Sequence, residues 1–166
     1  MLGKNYSTQN CSIARTLEFV GERWSLLIVR DALFGGVTRF GDFQRSLGIA
    51  TNVLASRLES FVEVGLMERL VGDDPARTPE YVLTEKGRAL QPVILALAGW
   101  GDRYAAPDGP PILFSHDACG EPVQARVTCP RCGDVHDPVV RARFGPGAPG
   151  QPVGAPVVPG EPVTEP

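Results

Sequence analysis

Apolar residues recur at three- and four-residue intervals through most of the first hundred residues. This spacing places apolar side chains along one face of a helix, where they can be buried. It predicts helices over residues 12–19, 24–34, 40–47, 51–64 and 85–98, with a short aromatic end over residues 100–104. Gly35, Gly48 and Gly65 follow three of these stretches, and glycine commonly ends a helix because it accepts a left-handed backbone.

Two short stretches, residues 66–71 and 81–83, show the pattern of strands. The polar loop between them, residues 72–79, predicts that they pair as a β-hairpin. Thr84 is placed to cap the last long helix. Four helices, of which the last two form a helix-turn-helix, then a strand-loop-strand unit and a final helix, make up a winged helix-turn-helix. The predicted fold is therefore mainly α with a small β-wing (α+β).

The helix predicted over residues 51–64 has a polar face opposite its apolar stripe. In a helix-turn-helix the second helix enters the major groove, and the residues at its N-terminus lie deepest. Thr51, Asn52 and Ser56 are therefore the candidates for contacts with base edges, and an asparagine can bind adenine through two hydrogen bonds. The alternative is that this polar face is only solvated, as on most amphipathic helices.

Four arginines are candidates for contacts with the DNA backbone or the minor groove. Arg39 and Arg45 are placed to bind phosphates, and Arg77 in the wing could bind a phosphate or enter the minor groove. Arg57 lies beside the apolar stripe, so it is equally suited to a phosphate and to an internal carboxylate. The formal net charge is -3, so any DNA affinity depends on where these charges lie and not on their sum.

Motifs of other functional classes are missing from the sequence. It contains no Walker or GxSxG motif, so an enzyme is not expected. No apolar run approaches 18 residues, and the N-terminus lacks the apolar core of a signal peptide. We therefore expect no membrane partner and a cytoplasmic location.

Residues 11–104 resemble the HxlR family of bacterial winged-helix regulators. The resemblance rests on five segments in consistent order, residues 11–14, 21–28, 39–43, 49–58 and 81–87. It implies a transcriptional regulator that binds palindromic operator DNA as a homodimer. Ala50 departs from the family pattern, since many members carry a serine there that could cap the recognition helix, and Thr51 is a possible replacement for that cap.

Cys11 occupies the position of the family's N-terminal cysteine, which some members use to sense electrophiles or oxidants. The start of a helix favours a thiolate, so the resemblance implies a possible redox or electrophile response through Cys11. The alternative is a small buried side chain, which is how most cysteines behave.

Apolar side chains on the first and last helices outnumber the partners that one chain can offer them. We therefore expect these helices to form an isologous dimer interface, with Trp100 as its aromatic anchor. The candidate interface residues are Leu17, Leu90, Ile94, Leu97, Trp100 and Tyr104.

Beyond the helical region, two similar pairs of metal-binding residue types follow each other. His116 and Cys119 precede Gly120, and Cys129 and Cys132 precede Gly133. Four such ligands suit a closed structural zinc site, and the glycines allow the positive φ of a tight turn. The sequence predicts a zinc-knuckle appendix holding one structural Zn²⁺; loose, reduced cysteines are the alternative.

The composition divides the chain into four parts. These are an N-terminal arm (1–10), the DNA-binding and dimerisation domain (11–104), a zinc-ribbon-like segment (105–144) and a Pro/Gly-rich tail (145–166). The tail has too little apolar content to offset the entropy of ordering, so it is predicted to be disordered. A second functional hypothesis makes the zinc knuckle a protein- or RNA-interaction module, with the helical domain as its dimerisation scaffold.

Overall fold

The computed structural model describes residues 6, 10–72, 78–135, 140–148 and 150–156. They belong to two units, one of residues 22–126 and the other of residues 1–21 with 127–166. The elements in chain order are α1 (Ser12–Val20), α2 (Ser25–Phe34), α3 (Phe40–Leu47), α4 (Thr51–Glu63), β1 (Met67–Leu70), β2 (Glu80–Leu83), α5 (Glu85–Arg88), α6 (Gln91–Tyr104), β3 (Thr128–Cys129) and β4 (Gly133–Asp134). The first six lie within one residue of their predicted bounds.

The core of the 22–126 unit is formed by the apolar stripes of α2, α3 and α4. Its fully buried side chains include Ile28, Val29, Phe43, Leu54, Leu58 and Phe61. Burying each large side chain stabilises the fold by roughly 1.5–3 kcal/mol relative to leaving it exposed. The stripe predicted for α4 is confirmed, with Val62 half-buried at its edge.

The turn between α3 and α4 depends on Gly48. Its φ of 62° lies in the left-handed region, and its amide donates to the carbonyl of Gln44 at 2.9 Å. A side chain at this φ would be strained, so glycine ends α3 and redirects the chain. Ile49 follows and is buried, which fixes the turn to the core. This is the helix-turn-helix that the sequence predicts.

Strands β1 and β2 form the predicted antiparallel wing. Met67 pairs with Leu83 at the base, and Leu70 pairs with Glu80 toward the loop. Met67 and Leu83 are both buried, so the base of the hairpin is joined to the core. The amide of Tyr81 also donates to the carbonyl of Thr38 at 2.7 Å, which attaches β2 to the segment before α3.

The single long helix predicted over residues 85–98 is wrong, because two helices, α5 and α6, occupy this part of the chain. Pro92 stands in the first turn of α6. In a continuous helix its ring would meet the carbonyl of Arg88 and its missing N–H would leave that carbonyl unpaired. Residues 100–104, predicted as a separate end, continue α6.

The predicted cap at Thr84 is confirmed at the start of α5. The Thr84 hydroxyl accepts a hydrogen bond from the amide of Gly87 at 3.1 Å and donates to the carbonyl of Gly65 at 2.7 Å. A Cβ on Gly87 would lie 2.2 Å from the carbonyl oxygen of Leu66. Only glycine therefore lets α5 pack this closely against the chain entering the wing.

The second unit contains α1 and the short hairpin of β3 and β4, in which Cys129 pairs with Gly133. Part of the predicted tail forms a turn here: Gly154 donates to the carbonyl of Phe144 at 2.7 Å, and Phe144 donates to the carbonyl of Ala155 at 2.8 Å. These residues thus differ from the expectation of disorder. Prolines restrict φ before folding, so ordering such a turn costs less entropy. Residues 149 and 157–166 lie outside the described part, and the three predicted domain boundaries stay predictions.

Candidate DNA-binding interface

The exposed face of α4 carries the residues predicted to contact bases. Thr51, Asn52 and Ser56 are exposed, as are Glu59 and Glu63 nearer the C-terminal end. The opposite face is fixed in the core by Leu54, Leu58 and Phe61. The helix therefore presents hydrogen-bonding side chains from a support that does not need to rearrange.

Thr51 does not take the capping role that the sequence suggested for it. The N-cap residue of α4 is Ala50, and no side chain caps the helix there. Thr51 is the first helical residue, and its hydroxyl accepts a hydrogen bond from Nε2 of Gln44 in α3 at 2.8 Å. This bond joins the two helices of the motif, and the first amides of α4 remain available to an external acceptor such as a phosphate.

Each of the three described arginines predicted to contact DNA has a carboxylate partner. Arg39 lies 3.1 Å from Glu80 of β2 and Arg45 lies 2.7 Å from Asp42 of α3. These pairs are largely exposed, so each adds little to stability and can exchange its carboxylate for a phosphate. Arg57 is half-buried and lies 3.8 Å from Glu22, which favours the internal carboxylate of its two expected roles.

Arg77 lies outside the described residues, and its predicted contact with DNA stays a prediction.

Asp31 is a structural acid that the sequence analysis missed. It is buried in α2, where its Oδ1 lies 2.6 Å from the guanidinium of Arg30 and its Oδ2 accepts from the Ser46 hydroxyl of α3 at 2.6 Å. Its backbone carbonyl accepts from the amides of Gly35 and Val37. The sequence did contain a signal for this role, because Asp31 is a charged residue within a mostly apolar helix. A charge that is buried needs a partner, so its position indicates a structural ion pair.

The exposed face of α6 is apolar. Leu97, Trp100 and Tyr104 are 51%, 63% and 62% exposed, and the rings of Trp100 and Tyr104 lie 5.4 Å apart. Such a contiguous patch is typical of an interaction surface. Leu90 is half-buried, whereas Ile94 is buried within its own chain and has little surface left for a second copy.

On α1, in the other unit, Leu17 is also exposed.

Cys11 lies at the start of α1 and is exposed, so the alternative of a buried side chain is wrong. Backbone amides of Ala14 and, more weakly, Ile13 stabilise the thiolate and lower the pKa of Cys11 from its ordinary value. A lowered pKa and exposure are the two conditions for a reactive cysteine.

The predicted zinc ligands lie on two local turns. In one unit, Nδ1 of His116 is 3.3 Å from Sγ of Cys119. In the other, the amides of Arg131 and Cys132, followed by the Cys132 thiol, lower the pKa of Cys129. Gly120 and Gly133 have φ of 74° and 76°, which confirms the expected glycine turns. Among the described residues, no group of three or more His, Cys, Asp or Glu side chains is placed to hold a metal ion.

In the part of the chain that the structure describes, no helix combines the length and the apolar character required to span a membrane.

Comparison with known proteins gives a consistent result. The chain is 51% identical over 125 residues to an uncharacterized HTH-type transcriptional regulator of Mycobacterium tuberculosis, covering 74% of this chain and 78% of that protein. The crystal structure of PA1607, a candidate transcription factor, matches with a TM-score of 0.63 and 39% identity, covering 90% of this chain and 89% of that one. The redox regulator HypR in its reduced form matches with a TM-score of 0.52 and 29% identity, covering 56% of this chain and 92% of HypR.

The HxlR-like helix-turn-helix family matches residues 19–109, which include α2 to α6 and the wing. The family resemblance and the winged-helix fold are thereby confirmed. The chain belongs to the HxlR-like helix-turn-helix family, and it is a transcriptional regulator of the winged-helix type.

Proposed function

We propose that this regulator binds a two-fold symmetric operator as a homodimer, with α4 in the major groove of each half-site. The observation that carries the proposal is the rigidly supported polar face at the start of α4, where Asn52 and Ser56 are exposed above a fully buried stripe. Two recognition helices related by a dimer axis would contact half-sites about one helical turn apart.

The test uses the full chain and the DNA upstream of its own gene. Footprinting locates the site, and fluorescence anisotropy then compares the wild type with Asn52→Ala/Ser56→Ala. The matched control is Glu59→Gln/Glu63→Gln, two changes on the same exposed face nearer the C-terminal end of α4. The first pair is expected to abolish specific binding, whereas the control pair retains it.

Full specific binding by Asn52→Ala/Ser56→Ala would exclude α4 as the recognition helix. If the protein instead binds RNA or another protein, and loses that binding when Cys119, Cys129 and Cys132 are substituted, the result would support the interaction-module hypothesis.

Cys11 is proposed to make DNA binding responsive to oxidants or electrophiles. Its exposure and lowered pKa support this role, as does similarity to HypR, which is a redox regulator. A thiol with a lowered pKa is still a thiolate at pH values where an ordinary cysteine is protonated, so its alkylation rate falls only at a lower pH.

Peptide-resolved alkylation with iodoacetamide across a pH series measures this directly. The midpoint for Cys11 in the folded chain should lie below its midpoint in the urea-unfolded chain. Equal midpoints would contradict an activated thiol. In the anisotropy assay, oxidant should change the DNA affinity of the wild type and leave that of Cys11→Ser unchanged.

A structural Zn²⁺ bound by His116, Cys119, Cys129 and Cys132 is proposed for the C-terminal segment. Support comes from the repeated spacing and from the positive-φ glycine that follows each pair. Thiolate and imidazole ligands favour zinc over magnesium or calcium. Metal analysis of protein purified without chelator should give about one zinc per chain. Cys129→Ser/Cys132→Ser should lose the metal, whereas Cys11→Ser should keep it; a zinc content near zero in the wild type would overturn the proposal.

A further inference from the structure

Within the 22–126 unit, a cavity of about 370 Å³ lies between α2, α6 and the segment that follows α6. Its walls are mainly apolar and include Leu26, Leu27, Ile94, Ile112 and Phe114. The wall after α6 is fixed in place, because Phe114 packs on Phe34 of α2 with ring centroids 4.7 Å apart. This volume lies in the range of sites that bind small organic molecules.

Among the described residues, two charged side chains line this cavity, Arg30 and Asp102. The guanidinium of Arg30 is already neutralised by Asp31 at 2.6 Å. Asp102 is half-buried and has no ion pair or hydrogen bond to any described residue. It also lies in the last turn of α6, where the helix dipole favours a positive charge. The charge that remains available to a ligand is therefore negative.

We propose that this cavity binds a small apolar molecule carrying one protonated amine, with Asp102 as the acceptor for the ammonium group. The apolar walls bury the hydrocarbon body, and the carboxylate supplies a charge-assisted hydrogen bond. An anionic ligand would find Arg30 already paired with Asp31 and would face the negative charge of Asp102.

The same cavity is connected to the helix-turn-helix through Arg30. Arg30 bonds Asp31, and Asp31 in turn accepts from Ser46 in α3. Because Arg30 is part of the cavity wall, a ligand that displaces its side chain would also change the Arg30–Asp31 pair, and with it the Asp31–Ser46 bond and the placement of α3. This regulatory step rests on the proposed DNA-binding function, whereas ligand binding itself does not.

Isothermal titration calorimetry on the full chain without DNA tests the ligand class. The probes share one ring system and differ in charge: 2-(1-naphthyl)ethylamine, 2-(1-naphthyl)ethanol and 1-naphthaleneacetate. The amine should bind about tenfold more tightly than the alcohol, as a charge-assisted hydrogen bond exceeds a neutral one by about this factor. The acetate should bind most weakly.

Asp102→Asn should remove the preference for the amine over the alcohol, whereas Asp108→Asn, an exposed control outside the cavity lining, should keep it. Failure of all three probes to bind would overturn the proposal, as would a preference for the acetate. Binding that disappears as the protein concentration is raised and the chain dimerises would also overturn it, since a second copy would then occupy the cavity.

Anisotropy with operator DNA tests the coupling. The amine should change the DNA affinity of the wild type by about fivefold or more, and Ser46→Ala should bind the amine but lose this effect. A DNA affinity that does not change when the amine is bound would overturn the regulatory step, but it would not contradict the amine-binding site. A wild type that binds no DNA would overturn the proposed function. Calorimetry without DNA would still test whether the cavity binds the amine.

Discussion

Helices α4 and α6 use the same means of attachment and differ in what they expose. Each buries apolar side chains in the 22–126 unit, Leu54 and Leu58 from α4 and Ile94 from α6. The outer face of α4 is polar, whereas that of α6 carries Trp100 and Tyr104. Polar groups lose little by facing water or the edges of bases, but exposed aromatic surface gains free energy when another apolar surface covers it. This difference supports the two proposals, that α4 contacts DNA and that α6 contacts a protein surface.

The largest effect is expected from Trp100→Ala. If α6 forms the dimer interface, removing its aromatic anchor should weaken dimerisation by about 2–4 kcal/mol, which is at least roughly 30-fold in the dissociation constant. The fold should persist, because Trp100 is mostly exposed in its own chain. Sedimentation equilibrium at micromolar concentration measures the dimer, and circular dichroism checks the fold.

Gln91→Ala is the matched control, since Gln91 is an exposed polar residue on the same helix. It should leave the dimer intact. A wild type that sediments as a monomer at micromolar concentration would remove both the α6 interface and the palindromic operator.

An intermediate effect is expected from Asn52→Ala on the outer face of α4. Loss of one bidentate contact with adenine should cost about 1–3 kcal/mol, concentrated at one base pair of each half-site. Anisotropy with operators substituted one base pair at a time measures this, and the variant should no longer distinguish the base at that position. A uniform loss over all sequences would instead indicate that Asn52 contacts the backbone.

The smallest effect is expected from Arg39→Gln beside the wing. Loss of one phosphate contact per chain should reduce the slope of log affinity against log salt by about one unit per chain, equally for operator and unrelated DNA. Glu80→Gln should instead increase this slope, because it removes the carboxylate that competes with phosphate for Arg39. Salt titrations of the two variants with identical slopes would show that Arg39 does not contact DNA.

Local sequence patterns were sufficient to predict the helix-turn-helix of α3 and α4 and the start of α5. The stripe of α4, the turn at Gly48 and the cap at Thr84 each follow from residues within a few positions of one another, and each is confirmed. The break before α6 was also local, since Pro92 stands in the sequence. It was missed because the apolar spacing continues across it and only the lost hydrogen bond reveals the interruption.

Non-local partners could not be predicted in the same way. Arg39 meets Glu80 and Arg57 meets Glu22 across 41 and 35 positions of sequence, and no periodicity relates such residues. Spacing also could not separate Ile94, which is buried in its own chain, from Trp100, which is exposed. Both fit one apolar face, and only the position of the neighbouring segments decides which side chain remains available to a partner.

Two residues, Ala89 and Leu90, connect α5 to α6, and the backbone angle at these residues sets the direction of α6. Helix α6 has 14 residues and is therefore about 21 Å long. A rotation of about 10° at Ala89 and Leu90 displaces its far end by nearly 4 Å, which exceeds one 3.4 Å base-pair step of the duplex. If the dimer forms through α6 as proposed, the spacing of the two recognition helices would depend on this angle and on how Ile94 fixes α6 to the core. Changes at Ala89 or Leu90 would then be expected to alter the preferred separation of the half-sites.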